Sequence, residues 1–334
     1  MGLVLAAVAL WVVSGKRGEL EGAFSYLDHL RWTWLVAALL SEFGAIVAFA
    51  AMERRLLAEG GADMGLGLLT GITFAGNAIQ NSLPGGPVWA NVFAYRQFRR
   101  RGADFTLSAW TLVAMSILSA ISLAAIAALG VAIADNGGVL VDLVVLVGVT
   151  AGLALAVRFL LARHRSTLRI ATALVRLSQR LARRPRGDAR QIVESGWGRL
   201  TAVKPSGPSW AVAFLMAAAN WLWDCCALAM AFLAVGTGVP WRGLLLAYGA
   251  AQLATNIPIT PGGLGVVEGS LTIALVAYGG GQESTVAAVV LYRLISFWGL
   301  LAVGWVAWAF FAYEGRRREA LADEPPLAPE VPAP

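Results

Sequence analysis

The chain has 334 residues, of which 58% are hydrophobic and 14% are charged, and its formal net charge is +6. With a mean hydropathy of +0.68, this composition excludes an ordinary soluble domain and an intrinsically disordered chain. The two cysteines, Cys225 and Cys226, are adjacent, which excludes a disulfide-stabilised scaffold.

Five apolar runs are long enough to cross about 30 Å of hydrocarbon as helices, which rise about 1.5 Å per residue. In chain order these predicted spans are 32–52, 105–132, 139–161, 209–235 and 284–312. Residues 1–14 form a shorter run that reaches only about 21 Å, as a short span or an interfacial segment. The sequence therefore predicts an all-α polytopic membrane protein with about six full spans.

Two further apolar regions, 65–98 and 243–278, are each interrupted by a Pro-Gly-Gly sequence. Proline and glycine both disfavour a helix interior. Lys and Arg concentrate in cytoplasmic loops, and here they cluster in 96–101, 158–204 and 316–318. Placing these clusters in the cytoplasm makes both interrupted regions re-entrant helical hairpins, the first entering from the cytoplasm and the second from outside.

The two Pro-Gly-Gly breaks are 177 residues apart, from Pro84 to Pro261. The same offset carries the span 32–52 onto 209–229, which starts at the same residue as the predicted span 209–235. Three crossings per half invert the second half relative to the first. We therefore predict an inverted-topology repeat whose two hairpins meet near the bilayer midplane.

The predicted repeats occupy residues 1–135 and 139–313. The second contains a basic insert at 162–208, which is predicted to lie as an amphipathic helix on the anionic cytoplasmic leaflet or to be a solvated linker helix. Residues 314–334 are polar and rich in proline, so they are predicted to form a disordered cytoplasmic tail. Lipid headgroups and loop orientation account for the basic residues, and no nucleic-acid partner is expected.

Polar side chains cluster around both breaks, although an unsatisfied backbone group in hydrocarbon costs several kcal/mol. Because such a break is tolerated where protein or water surrounds it, we expect the breaks to form a central substrate site. The predicted substrate-binding residues are Asn77, Asn81, Pro84, Gly85, Gly86, Arg96, Asn256, Thr260, Pro261, Gly262, Gly263, Gly265, Glu268 and Arg293. The predicted cavity-lining residues are Glu42, Asp224, Trp89 and Trp221.

A lone carboxylate at Glu268 is expected to pair with a cation, take up a proton or face water. Its candidate partners are Arg293, inside the last span, and Arg96, at the end of the first hairpin. Arginine suits bidentate contact with phosphate. Two other interpretations remain, in which the breaks serve only helix packing or the pair of Glu268 and Arg293 is purely structural.

The sequences NIPITPGGLGVVEG at 256–269, NAIQNSLPGGPVWANVFAYRQFRRRGAD at 77–104 and LYRLISFW at 291–298 resemble those of the lysylphosphatidylglycerol synthase transmembrane region family. The resemblance extends to about residue 313. The resemblance implies a role in lipid movement: in two-domain relatives this region is joined to a soluble aminoacyl-transferase domain and moves lysyl-phosphatidylglycerol from the inner to the outer leaflet. The first half departs from the family in having Pro-Gly-Gly-Pro where other members carry a Pro-x-Arg-x-Gly-Glu-type sequence.

The expected function is that of a flippase-like transporter of a phospholipid or lipid-linked headgroup in the bacterial cytoplasmic membrane, with the C-terminus in the cytoplasm. The alternatives are a membrane scaffold or accessory subunit for a separately encoded lipid or glycan synthase, and a small-solute or ion transporter. His29 and His164 lack neighbours for a metal cluster, and no Walker or nucleophile-elbow motif is present. No enzymatic activity, cofactor or metal is therefore expected.

Overall fold

The computed structural model of the protein describes residues 30–134, 207–255 and 263–322, with side chains as far as Arg317. Every secondary-structure element in these ranges is a helix. The elements are α1 (Trp32–Glu59), α2 (Leu66–Ser82), α3 (Gly86–Arg100), α4 (Phe105–Ala134), α5 (Gly207–Val235), α6 (Trp241–Thr255), α7 (Val266–Ala277), α8 (Gln282–Arg293), a π-helical segment (Leu294–Gly299) and α9 (Leu300–Ala322).

Four helical segments in these ranges are long and apolar enough to cross a membrane: α1, α4, α5 and the continuous segment Gln282–Arg317. They confirm the predicted spans at 32–52, 105–132, 209–235 and 284–312. The predicted spans at 1–14 and 139–161 lie outside the described residues, as does nearly all of the basic insert at 162–208. In its described ranges the chain is thus that of an all-helical membrane protein.

The largest helix contact among the described elements is between α1 and α5. Helix α2 packs on α9, and α6 packs on α4. Gly304 of α9 lies so close to the Phe74 carbonyl of α2 that a methyl group would overlap it, and Gly130 of α4 is equally close to the backbone of Leu245 and Leu246 in α6. Small residues let helix backbones approach in this way.

Arginine side chains gather at one end of the helix bundle. Arg55 donates to the Ser209 hydroxyl at 2.7 Å, which joins the end of α1 to the start of α5. Arg101 pairs with Glu314 at 3.0 Å, which joins the end of α3 to α9. We call this the arginine-rich end, defined by Arg55, Arg101, Ser209 and Glu314.

The opposite end is defined by contacts between the start of α1, the end of α5 and the start of α8. The Arg31 amide donates to the Ala234 carbonyl at 2.8 Å, and the Thr237 hydroxyl lies 3.4 Å from that of Ser284. Helix α6 begins here too, because Gly243 faces Tyr278 at the end of α7.

Helix α9 extends beyond the boundary that the sequence indicated for the tail. Residues 314–334 were expected to be disordered, but the helix continues through Ala322. Glu314 is held by Arg101, and the residues from Arg316 to Ala322 are strong helix formers with no proline before Pro325. Residues 323–334 lie outside the described residues.

Candidate functional site

The first Pro-Gly-Gly sequence separates α2 from α3. Gly85 has a φ of +68°, a left-handed conformation that glycine adopts without steric cost. Gly86 begins α3, and a methyl group there would overlap the Gln80 carbonyl of α2. Pro87 follows in the first turn of α3, where a missing N–H breaks no helical hydrogen bond. The break thus needs a left-handed backbone at Gly85 and the absence of a side chain at Gly86, and it tolerates the missing N–H of Pro87.

The second break separates α6 from α7. Gly263 and Gly265 have φ values of +67° and +83°, and α7 begins at Val266. Four predicted site residues, Asn256, Thr260, Pro261 and Gly262, lie outside the described residues, and their roles remain predictions.

Glu268 and Arg293 form an ion pair, with Arg293 Nε donating to Glu268 Oε1 at 2.6 Å. The second carboxylate oxygen of Glu268 accepts from the Gly265 amide at 2.7 Å and so caps the first turn of α7. Only 11% of the Arg293 side chain is exposed, against 28% for Glu268. The other candidate partner, Arg96, is exposed on α3.

Arg293 is further ordered by its own helix. Its guanidinium carbon lies 4.6 Å from the centre of the Phe297 ring, a cation–π contact. Phe297 belongs to the π-helical segment Leu294–Gly299, which directly follows Arg293. Such segments are rare and are frequent at functional sites. Phe297 lies four residues after Arg293, so the two side chains are neighbours on one face of the helix.

Asp224 on α5 is the centre of a second polar cluster. Its Oδ2 accepts from the Tyr248 hydroxyl at 2.8 Å and from the Gln252 amide at 3.0 Å, both on α6. Its Oδ1 accepts from the Tyr292 hydroxyl of α8 at 2.8 Å. Tyr248 and Tyr292 are almost completely buried. Asp224 therefore joins three helices through neutral donors.

Glu42 of α1 contacts Asp224 directly, carboxyl to carboxyl. Only 5% of Glu42 is exposed. Its Oε2 is fully buried, and no donor among the described residues reaches it. Glu42 and Asp224, which the sequence singled out as cavity-lining residues, are thus brought together at the contact between α1 and α5.

The two clusters lie at a similar depth. Glu42 is ten residues from the start of α1, Asp224 eleven from the end of α5 and Arg293 eleven from the start of α8, which corresponds to about 15–17 Å of helix. These three helix termini share one end of the bundle. A 30 Å hydrocarbon layer that began at these termini would have its midplane at about this depth.

The remaining candidates are more scattered. Asn77 donates to the Thr73 carbonyl of its own helix at 3.1 Å, and Asn81, one turn further along α2, is half-buried. Trp221 donates to the Ser119 carbonyl of α4 at 3.0 Å, whereas Trp89 is 54% exposed. The structure therefore groups Glu42 with Asp224 and Glu268 with Arg293, whereas no hydrogen bond or ion pair among the described residues joins Asn77, Pro84 or Trp89 to either pair.

Sequence reasoning missed Tyr248, Gln252 and Tyr292. One available signal was the spacing of Tyr248 and Gln252, which are four residues apart and share one face of an otherwise apolar helix. Another was the position of Tyr292 next to Arg293. Within the described part of the chain, no three His, Cys, Asp or Glu side chains lie close enough together to hold a metal ion.

A family model described as the lysylphosphatidylglycerol synthase TM region matches residues 1–304. The chain is also similar to proteins of Methanothermobacter thermautotrophicus described as UPF0104 membrane proteins. One is 32% identical over 100 residues, which are 30% of this chain and 28% of the relative. A second is 36% identical over 92 residues, 27% of each chain. The aligned segments thus span less than a third of these relatives.

Proposed function

The chain belongs to the lysylphosphatidylglycerol synthase transmembrane region family, and we propose that it is a flippase-like transporter rather than an enzyme. It would move a phospholipid or a lipid-linked headgroup between the leaflets of the membrane. The headgroup would cross through the protein while the acyl chains stay in lipid.

The observation that carries this proposal is the position of Arg293 beside the first turn of α7. A nearly buried arginine at midplane depth is costly, and such residues usually mark a substrate path. Helix N-terminal amides bind phosphate, and arginine binds it through two parallel hydrogen bonds. A phosphate that displaced the Glu268 carboxylate would meet both donors at once, because Glu268 already contacts Arg293 and the Gly265 amide.

Glu268 then has two roles in the proposed cycle. In the substrate-free protein it neutralises Arg293 and caps α7. When phosphate takes its place, the released carboxylate can bind a cationic group of the same headgroup. The ion pair therefore keeps the site closed when no substrate is bound. Separating Glu268 from Arg293 costs free energy, and the contacts that the charges of the substrate make with both residues offset it.

The packing of the helices supports an inverted repeat with two hairpins of opposite direction. Under the 177-residue offset α1 corresponds to α5, α2 to α6, and α4 to the segment of α8 and α9. The contacts follow this correspondence, because α2 packs on α9 just as α6 packs on α4. Helices α2 and α3 open towards the arginine-rich end, and α6 and α7 towards the other.

In the proposed transporter the remaining predicted residues surround the same central site. The amides after Gly86 would face the headgroup from the first hairpin, with Asn77 and Asn81 as polar contacts. Asn256 and Thr260 would contribute from the second hairpin. Arginine-rich loops face the cytoplasm in bacterial membrane proteins, so we place the C-terminus there, in the cytoplasmic membrane.

The basic insert at 162–208 favours a second candidate function, in which the protein is an accessory subunit of a separately encoded lipid or glycan synthase. The insert would dock that enzyme instead of anionic lipid of the inner leaflet. In this case the isolated chain would move no lipid, and a stoichiometric enzyme would purify with it.

The experiment that tests the proposal uses purified protein in liposomes that contain phospholipids with labelled headgroups. The wild-type protein is expected to accelerate the exchange of label between leaflets over that of protein-free liposomes. Exchange no faster than in protein-free liposomes, for every lipid in a panel of anionic, zwitterionic and aminoacylated lipids, would contradict lipid transport. Uptake of a water-soluble anion without lipid movement would indicate a small-solute transporter.

A further inference from the structure

The contact between Glu42 and Asp224 is not used by the lipid site proposed above. It lies where α1 meets α5, the largest helix contact of the described fold, and at the depth of Arg293. Two carboxyl groups in contact, one of them on a residue that is only 5% exposed, are expensive to retain. The contact between these two carboxyl groups therefore needs a physical reason that the lipid site does not supply.

The hydrogen bonds around Asp224 identify it as the ionised member of the pair. Its two oxygens accept from Tyr248, Gln252 and Tyr292, three neutral donors at 2.8–3.0 Å. Bonds that are donated to a carboxylate stabilise its charged form. The Arg293 guanidinium adds a favourable electrostatic interaction from α8.

Glu42 has none of this support. Its Oε2 is fully buried and meets no donor in the described part of the chain, and Asp224 is its carboxyl neighbour. A negative charge on Asp224 disfavours a second negative charge on the buried Glu42. A proton on Glu42 removes the second charge and turns the contact into a hydrogen bond to Asp224.

We propose that Glu42 and Asp224 form a proton-binding site, and that a proton bound there favours an anionic headgroup at Arg293. The coupling to the headgroup rests on the proposed function, whereas the proton-binding site itself does not. When the proton leaves, the second negative charge competes with the headgroup for Arg293. By linkage, a bound headgroup raises proton affinity by the same factor that a bound proton raises headgroup affinity.

The surroundings fit a proton better than a metal ion. In the part of the chain that the structure describes, the titratable and charged groups facing the pair are Tyr248 on α6, Tyr292 and Arg293 on α8, and Cys225 on α5. The tyrosines and Gln252 donate hydrogen bonds to Asp224, and within the described residues no third His, Cys, Asp or Glu side chain joins the two carboxyl groups to complete a metal site. Glu268 is a poorer proton carrier, because Arg293 and the Gly265 amide already occupy both of its oxygens.

The first experiment measures the proton directly by infrared difference spectroscopy of the full chain in liposomes while the pH is changed. A protonated carboxyl group has a carbonyl stretch that carboxylates lack. We expect such a band in the wild-type protein and its loss in Glu42→Gln, whose amide can still donate to Asp224 and preserve the fold. Glu283→Gln, at an exposed position on α8, should leave the band unchanged.

A second buried carboxyl provides the matched control. Glu53 of α1 is 3% exposed and accepts from Thr73 at 3.1 Å, so Glu53→Gln is expected to alter a different component of the spectrum. If the band assigned to the pair persisted in both Glu42→Gln and Asp224→Asn, the proton site would be wrong, whether or not the protein moves lipid.

The second experiment tests coupling in liposomes with different internal and external pH. Lipid exchange by the wild-type protein is expected to depend on the pH difference, and Glu42→Gln is expected to lose that dependence while retaining exchange. A pH dependence equal to that of wild type in Glu42→Gln would overturn coupling through this pair. Absence of exchange by the wild-type protein would contradict the transport proposal and leave the infrared result to decide the proton site.

Discussion

Arg293 donates from Nε to Oε1 of Glu268 at 2.6 Å, while the other oxygen of Glu268 accepts from the Gly265 amide. One carboxylate thus neutralises a nearly buried cation and caps the helix that follows the second break. Removing either partner deletes this contact, and in the proposed function the substrate headgroup takes the place of Glu268.

The ion pair is expected to contribute to stability through direct coupling. Glu268→Gln and Arg293→Gln should each lower the free energy of unfolding, and the double variant should lose less than the sum of the two. We expect a coupling energy of about 0.5–3 kcal/mol in a double-mutant cycle, measured by unfolding in mixed micelles. Losses that add without coupling would contradict a direct interaction of these side chains.

Gly86 is expected to tolerate no side chain. In Gly86→Ala the new methyl group overlaps the Gln80 carbonyl, so the break between α2 and α3 must shift. The expected loss is about 1–3 kcal/mol in the free energy of unfolding. Gly269→Ala is the control, because a methyl group there meets no atom within 4 Å. Equal behaviour of the two variants would rule out the tight turn.

Gly304→Ala tests the contact between α9 and α2. Its methyl group overlaps the Phe74 carbonyl, so we expect a loss of about 1–3 kcal/mol and a lower melting temperature in detergent. Gly67→Ala, at an open position near the start of α2, should be close to neutral or slightly stabilising. A melting temperature of Gly304→Ala as high as that of wild type would show that the helices do not approach this closely.

The two hairpins are expected to open on opposite sides of the membrane. Cysteines replace exposed residues in a background that lacks Cys225 and Cys226, and an impermeant thiol reagent is added from either side. Asp63→Cys and Arg100→Cys, near the arginine-rich end, should react from the cytoplasm. Gly238→Cys and Glu283→Cys should react from outside, and a pair that divides between the two sides would contradict its hairpin.

Much of the fold follows from local sequence. The four confirmed spans are predictable because a helix that crosses hydrocarbon needs a long apolar run, whatever it packs against. The positions of the breaks follow from Pro84, Gly85 and Gly86, whose backbone preferences act locally. The pairing of Glu268 with Arg293 follows from the cost of leaving either charge alone in an apolar environment.

The rest depends on contacts between distant parts of the chain. Tyr248 and Tyr292 read as apolar residues in their helices, and their hydroxyls converge on Asp224 only because α5, α6 and α8 pack in one register. The end of α9 was misjudged because Arg101, the partner of Glu314, is far away in sequence. Neither the register of these helices nor the pairing of Arg101 with Glu314 can be recognised from a local sequence pattern.

The central claim is that Arg293 holds an anionic lipid headgroup during its movement across the membrane. Its most direct test compares lipid exchange in liposomes containing wild-type protein, Arg293→Ala and Arg242→Ala, the last changing an exposed arginine at the start of α6. The proposal predicts rapid exchange with wild type and Arg242→Ala, and exchange near that of protein-free liposomes with Arg293→Ala. Exchange by correctly folded Arg293→Ala at the wild-type rate would contradict it.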